Sequence, residues 1–413
     1  MQKIIVTAIL FVFGANLLAQ PTQPFGGGLG TETEPYEIYN VWHLEELNDS
    51  IMSSEPYPSD NWSKGKYFVL MDDILYSLTA PIGFSTISGP VPLRTQLYPF
   101  QGDFDGQGFI INLAINNYID EIYGIQPECG LFSMTSNAKI SNLILDGYIY
   151  DDGFHPYTYE RTGSIVGWAR DTFEIYNCTS YVDIIMASLK IGAIGGIVGD
   201  CYYATGKIEN CINYGNLSAG RIGGIVCHLA SVSGPYEISN CINYGTLNGS
   251  NGVGGIVASA EGTGATIIDC INCGEIIDQT WTGGIAGSTY PAHILNCINI
   301  GKISKTIDER DHYTTGGIVG SIARASIISK CMNIGDVVGI NNTGGIVGGS
   351  GSDNWGGPPS IIECINYGYV KGINNIGGIL GDSSQNDSLT IEGCVNTGVI
   401  EGYDNVGSIV GNE

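Results

Sequence analysis

The chain has 413 residues, 61 of them glycine, and sets 41 acidic side chains against 16 basic ones for a formal charge of −25. A field of that sign repels nucleic acid and anionic lipid, which excludes both as partners. The acidic residues are dispersed, with only short clusters such as Asp308-Glu309-Arg310-Asp311, so they read as a solvated face and not as a disordered tail.

Met1-Gln2-Lys3 followed by the apolar run Ile4 to Leu18 and then Ala19-Gln20-Pro21 reads as a secretory signal peptide, residues 1–19, cleaved after Ala19. The run is shorter than the ~20 residues that cross a bilayer. No later segment reads as a membrane span, so none is expected after signal removal. Residues 20–62 hold many of the prolines and a short helical segment, Val41 to Asp49, and are expected to form an N-terminal cap. Residues 63–160 lack a tight period and read as irregular entry coils, since a solenoid needs atypical units at its open ends.

From 161 to 413 the chain repeats. Versions of Gly-Gly-Ile-Val-Gly begin at Gly163, Gly195, Gly223, Gly254, Gly283, Gly316, Gly344, Gly377 and Gly407, spaced by 28 to 33 residues. A period in that range marks units that bury their apolar faces only against their neighbours. Between the blocks lies Cys at 178, 211, 241, 270, 297, 331, 364 and 394, usually within Asn-Cys-Ile-Asn-x-Gly. Three residues before each Cys from Cys211 onward stands Ile, as at Ile208, Ile238 and Ile267, and the residue just before the Cys is polar or Gly. Ile and Cys both face inward only if strand alternation breaks between them, which predicts a corner there.

Two residues after the Cys comes Asn213, Asn243, Asn272, Asn299, Asn333, Asn366 or Asn396, and two further on a Gly. Asparagine suits a bend, and stacked in successive coils its amides would form a ladder along the axis. The glycines fit either a positive φ or a close backbone approach. Cys178, Cys211, Cys241, Cys270, Cys297, Cys331, Cys364 and Cys394 share one position and are expected as an inward column of compact apolar side chains. Neighbouring rungs at ~4.8 Å also permit a bridged ladder, so buried thiols and bridges both stay open. Cys129, Cys201, Cys227 and Cys273 fall outside the column.

Ile, Val, Thr, Tyr and Gly dominate, and helical periodicity is missing from the repeats. The expected fold is all-β: a right-handed parallel β-solenoid, or β-helix, of about 30-residue coils with an irregular N-terminal cap. The last residues, Val410-Gly411-Asn412-Glu413, stop inside a repeat, so the chain is expected to continue, or its edge to be covered by a partner or blunted by terminal charge.

These blocks resemble the GLUG motif, a bacterial cell-surface repeat of adhesin-like proteins that also accompanies some secreted immunoglobulin-cleaving metallopeptidases. Gly130-Leu131-Phe132 with Ile140-Ser141-Asn142-Leu143 is similar to the motif's entry coil, and Phe100 to Gly108 and Gly30 to Tyr36 to the start of such regions. The resemblance implies a protein secreted from a bacterium or held at its surface.

Candidate sites follow from the residue types. A zinc peptidase needs two His one helical turn apart with Glu between, and His43, His155, His228, His293 and His312 do not supply that pair. No metal and no cofactor is expected. Asp103 and Asp105, or Asp72 and Asp73, can be drawn as carboxylate pairs for a polysaccharide lyase or hydrolase, although Asp105-Gly106 is also a turn signal. Binding is expected to fall to loops, because insertions on a solenoid collect on one surface. Two loops are long, 304–315 with His312 and Tyr313, and 349–360 with Trp355; Trp281 and Tyr202-Tyr203 read as corresponding loop positions. The expected function is a non-enzymatic, adhesin-like surface protein that binds glycans or surface proteins of a host or neighbouring cell. A passive envelope spacer and a β-helix polysaccharide lyase or hydrolase are the alternatives.

Overall fold

The structure, a computed structural model, describes residues 25–85, 96–117, 128–151, 161–186, 192–230, 234–278, 280–305, 314–351, 357–384 and 388–412. Within them the chain winds into a parallel β-solenoid of about 10 turns, with about 32 residues per turn and one helix. The signal-peptide reading, His155, His312, Tyr313 and Trp355 lie outside the described residues.

One coil shows how the sequence makes the turn. Arg221–Gly223 joins a nine-stranded sheet whose every strand ends on the first glycine of a block. The chain then reverses so tightly that a Cβ on Gly223 would sit 1.7 Å from the Val226 carbonyl oxygen, which glycine alone tolerates. Val226–Ala230 and Tyr236–Ser239 run in a long sheet of 18 strands. Asn240 turns the next corner at φ 53°, and Cys241 follows, fully buried. Ile242–Asn243 and Leu247–Asn248 enter two ladders that converge on the single strand Ile144–Asp151. Every one of these pairings is parallel, coil on coil.

The corner between Ile and Cys is a left-handed residue in every repeat: Asn177, Asn210, Asn240, Asp269, Asn296, Lys330, Glu363 and Gly393 have φ between 51° and 63°. Asparagine and aspartate accept this conformation most readily among side-chain-bearing residues, and Lys330 and Glu363 occupy it against their preference. The glycine of Asn-x-Gly answers to close approach instead: a Cβ on Gly245 would lie 1.9 Å from the Gly215 carbonyl.

Inside, the asparagines form an unbroken line. Asn213 Nδ2 donates to Gly215 O at 3.0 Å and to Asn243 Oδ1 at 2.8 Å, and the same pair of bonds recurs at Asn243, Asn272, Asn299, Asn333 and Asn366. The column closes on Asn396, which donates to Gly398 O. The column cysteines are free, and each from Cys178 to Cys364 points its Sγ at the carbonyl two residues back at 3.3 to 3.4 Å.

The cap is built differently. Helix α1, Val41–Met52, starts at Asn40, whose Oδ1 accepts from His43 N at 3.2 Å, and it runs three residues past the sequence expectation. The extra turn persists because Ile51 continues the buried stripe of Leu44 and Leu47. No helix among the described residues is long and apolar enough to cross a membrane.

Candidate binding face

The outer surface of the long sheet carries the charged side chains that the fold draws together. Parallel register places Asp103, Lys139, Glu174, Lys207 and Glu237 side by side on five successive strands, followed by Thr266 and His293. Alternation along each strand keeps them outward, while Phe104, Phe173, Ile175 and Ile208 point into the core. The five charged residues and Thr266 line an open trough of about 680 Å³ that Asn137, Thr172 and Thr205 flank. Gly206 and Tyr236 also line it, and the buried Tyr236 hydroxyl shares its proton between the carbonyls of Cys201 and Ala230, at 2.6 and 2.9 Å.

The charges in the trough pair along the axis. Lys139 lies 3.6 Å from Glu174, and Lys207 lies 3.0 Å from Glu209 and 3.2 Å from Glu237. Both lysines stay accessible, at 42% and 43% of their side-chain surface. Burial raises the Asp103 carboxyl above the ordinary carboxylate range against the pull of Lys139.

The strand that carries Glu174, Val166–Tyr176, also carries Trp168 six residues earlier. Trp168 lies between two guanidinium groups, Arg161 at 4.3 Å and Arg170 at 4.5 Å from its ring centre. Arg170 also donates to the Tyr57 hydroxyl at 3.1 Å, tying the cap to the rod. Arg161 Nε donates to Asp200 Oδ2 at 2.7 Å, and its Nη1 to Glu128 at 3.2 Å. His228 stands between Asp200 and Glu261, 3.6 Å from each, and stacks on Tyr202. The turn after Asp200 holds Tyr203 at φ 65° and leaves its ring half exposed.

Burial alone would push the His228 imidazole down, but Asp200 and Glu261 outweigh it and lift the pKa to about 9. Burial likewise disfavours the Asp200 carboxylate, and the His228 and Arg161 charges override it to hold the pKa below the ordinary range. His228 therefore keeps its proton at neutral pH, and the Ser259 hydroxyl is committed to Glu261 at 3.1 Å. Serine, histidine and aspartate meet here, yet a protonated imidazole does not act as a general base. The network instead fastens neighbouring coils together, from Glu128 through to Ser288, which donates to Ser259 at 3.2 Å.

The sequence-chosen residues fall elsewhere. Trp281 is 38% exposed at the corner leading into Thr282–Gly283 of the glycine sheet. Tyr202-Tyr203 occupies a different corner, after the long-sheet strand Val198–Asp200, whereas Trp281 precedes the glycine-sheet strand, so the two positions do not correspond. Asp105 is spent on the turn, accepting from Gln107 N at 3.0 Å and Asn142 Nδ2 at 2.9 Å, and Asp73 accepts from Ile110 N at 2.9 Å. His43 accepts from Tyr39 N at 3.1 Å. Tyr181, Tyr214 and Tyr244 stack face to face, 4.8 and 4.9 Å apart, whereas Tyr367 lies further along that column beyond Ile300 and Ile334. Among the described residues, no three His, Cys, Asp or Glu side chains group as metal ligands would. The trough could have been found in the sequence as the fourth residue before each Cys, which reads Glu174, Lys207, Glu237.

No protein-family model matches the chain, and no curated protein matches it. Among solved structures it is similar to a candidate immunoglobulin A1 protease from Bacteroides ovatus, at 16% identity over 94% of this chain and 87% of that one, with a TM-score of 0.32. A likeness at that level bears on neither activity nor ligand.

Proposed function

We propose that this is an exported, non-enzymatic β-solenoid of the GLUG-like, adhesin type, held at a bacterial surface or secreted, which binds glycans on the outer face of its long sheet. The observation that supports this reading is the trough: about 680 Å³, open to solvent, walled by threonine hydroxyls and the Asn137 amide and lined by accessible charges. A pocket of that size holding a few directed polar groups fits a small ligand or one segment of a polymer. The test is an array of bacterial and host glycans and surface proteins probed with residues 20–413. Thr266→Trp, which fills the trough, is expected to abolish a hit that Trp281→Ala and Trp355→Ala leave intact. The reverse pattern moves the ligand to the loops, and an empty array favours a passive spacer.

A second reading, a polysaccharide lyase or hydrolase, is favoured by Asp103, a carboxyl held above its ordinary range within the trough. Glu174 stands in the same row two strands away, where the backbones are ~9.6 Å apart at the usual sheet spacing, so the pair supplies two carboxyl groups on one face, as glycosidase chemistry requires. This reading requires new reducing ends or unsaturated products from a polysaccharide, and their loss in Asp103→Asn.

A further inference from the structure

The trough's charges alternate in sign one coil at a time: Asp103, Lys139, Glu174, Lys207, Glu237. Neighbouring strands stand ~4.8 Å apart, so like charges recur every ~9.6 Å along the axis. A ligand that answers every position must alternate in sign with the same step. An extended peptide does not, because its side chains on one face recur every ~6.8 Å. One pyranose of an extended β-linked chain is about as long as one coil step, and alternate sugars present the same edge.

We infer that the trough binds a linear zwitterionic polysaccharide laid along the solenoid axis, with a carboxylate and a free ammonium on alternate sugars. Its carboxylates meet Lys139 and Lys207; its ammonium groups meet Asp103, Glu174 and Glu237. This rests on the glycan-binding reading above and names the class of glycan. Charge decides against the simpler polymers. A polyanion faces three carboxylates against two lysines in the trough and a whole-chain charge of −25. A polycation is opposed by both lysines at every second step. The intrachain pairs, Lys139 with Glu174 and Lys207 with Glu237, are solvent-exposed and individually weak, so ligand charges replace them at little cost.

The experiment is calorimetric titration of residues 20–413 with three hexasaccharides: N-deacetylated hyaluronan, which alternates ammonium and carboxylate, hyaluronan itself, and chitosan. The N-deacetylated form is expected to bind at least tenfold more tightly than either of the others. Replacing Lys139→Gln with Lys207→Gln is expected to weaken it at least tenfold with an unchanged melting curve, while Lys371→Gln, outside the trough, leaves it unaltered. Equal binding of hyaluronan or chitosan overturns the alternation. A neutral array glycan displaced by Thr266→Trp, with no binding of the N-deacetylated form, overturns the zwitterion while the glycan-binding reading stands; no binding by any glycan sinks both.

Discussion

In the cap and entry coils the interior is aromatic. Phe25 packs against Tyr36 at 4.7 Å, Tyr36 stacks on Trp62 at 5.6 Å, and Phe100 stacks on Phe132 at 4.5 Å. From Cys178 onward the interior is mainly isoleucine, valine, cysteine and asparagine in straight columns that face their counterparts one coil above and below, with the buried ring of Tyr236 against Gly206 an exception. Large rings fill an irregular end where no two layers are alike and neighbours have room to adjust. A column has no such latitude, because each rung is bounded by two near-copies of itself, and a change at one rung is felt at both.

Thiol reactivity sharpens that contrast most. Only Cys273 and Cys394 are partly accessible; the other ten cysteines are buried. In native protein those two are expected to react with a maleimide at least a thousandfold faster than the rest, which wait for opening of the rod. Mass mapping of the labelled peptides checks this, and early labelling of Cys129 would show that the entry coils open separately.

Asn272→Leu removes a donor and an acceptor from the buried line and strands groups on Asn243 and Asn299. The expected cost is roughly 3 to 5 kcal/mol in urea unfolding. Leu47→Met in the cap helix, a change of shape at nearly constant volume, is expected to cost less than about 1.5 kcal/mol. If the two costs come out equal, column and cap do not differ as described.

The His228 network gives a pH signature confined to the rod. The folded pKa of about 9 lies above the unfolded value of 6.5, so the stabilisation is complete below pH 6.5 and is lost as pH rises through about 9. It is expected to amount to about 2 to 3 kcal/mol, read as a fall in melting temperature between pH 6.5 and 9.5 that His228→Gln abolishes. The smallest effect belongs to the corners: Lys330→Asn relieves a left-handed lysine at φ 56° and is expected to stabilise by about 1 kcal/mol.

Much of the rod can be read from the residues themselves. The Cys, Asn and Gly columns and the corner after Ile follow from a repeat short enough to align by eye. The row of charges on the long sheet is only partly legible, because its members belong together only across coils. Asp103 and Lys139 come from coils that lack the Cys to align them, and Arg161, Asp200, His228 and Glu261 are single charged residues far apart in the chain until register pairs Asp200 with His228 and the side chains of Arg161 and Glu261 reach that pair from neighbouring positions. Trp281 and Tyr202, which read as corresponding loop positions, fall at different corners, one before the glycine-sheet strand and one after the long-sheet strand.

All six bonds between successive amides of the asparagine line point the same way, from the earlier coil to the later. Aligned hydrogen-bond dipoles polarise one another, strengthening each link by roughly 10 to 30%. Stability should therefore rise faster than in proportion to the number of coils. Duplicating a whole repeat extends the line, whereas a duplication ending between Cys and Gly breaks it, so the rod's length should evolve in whole coils.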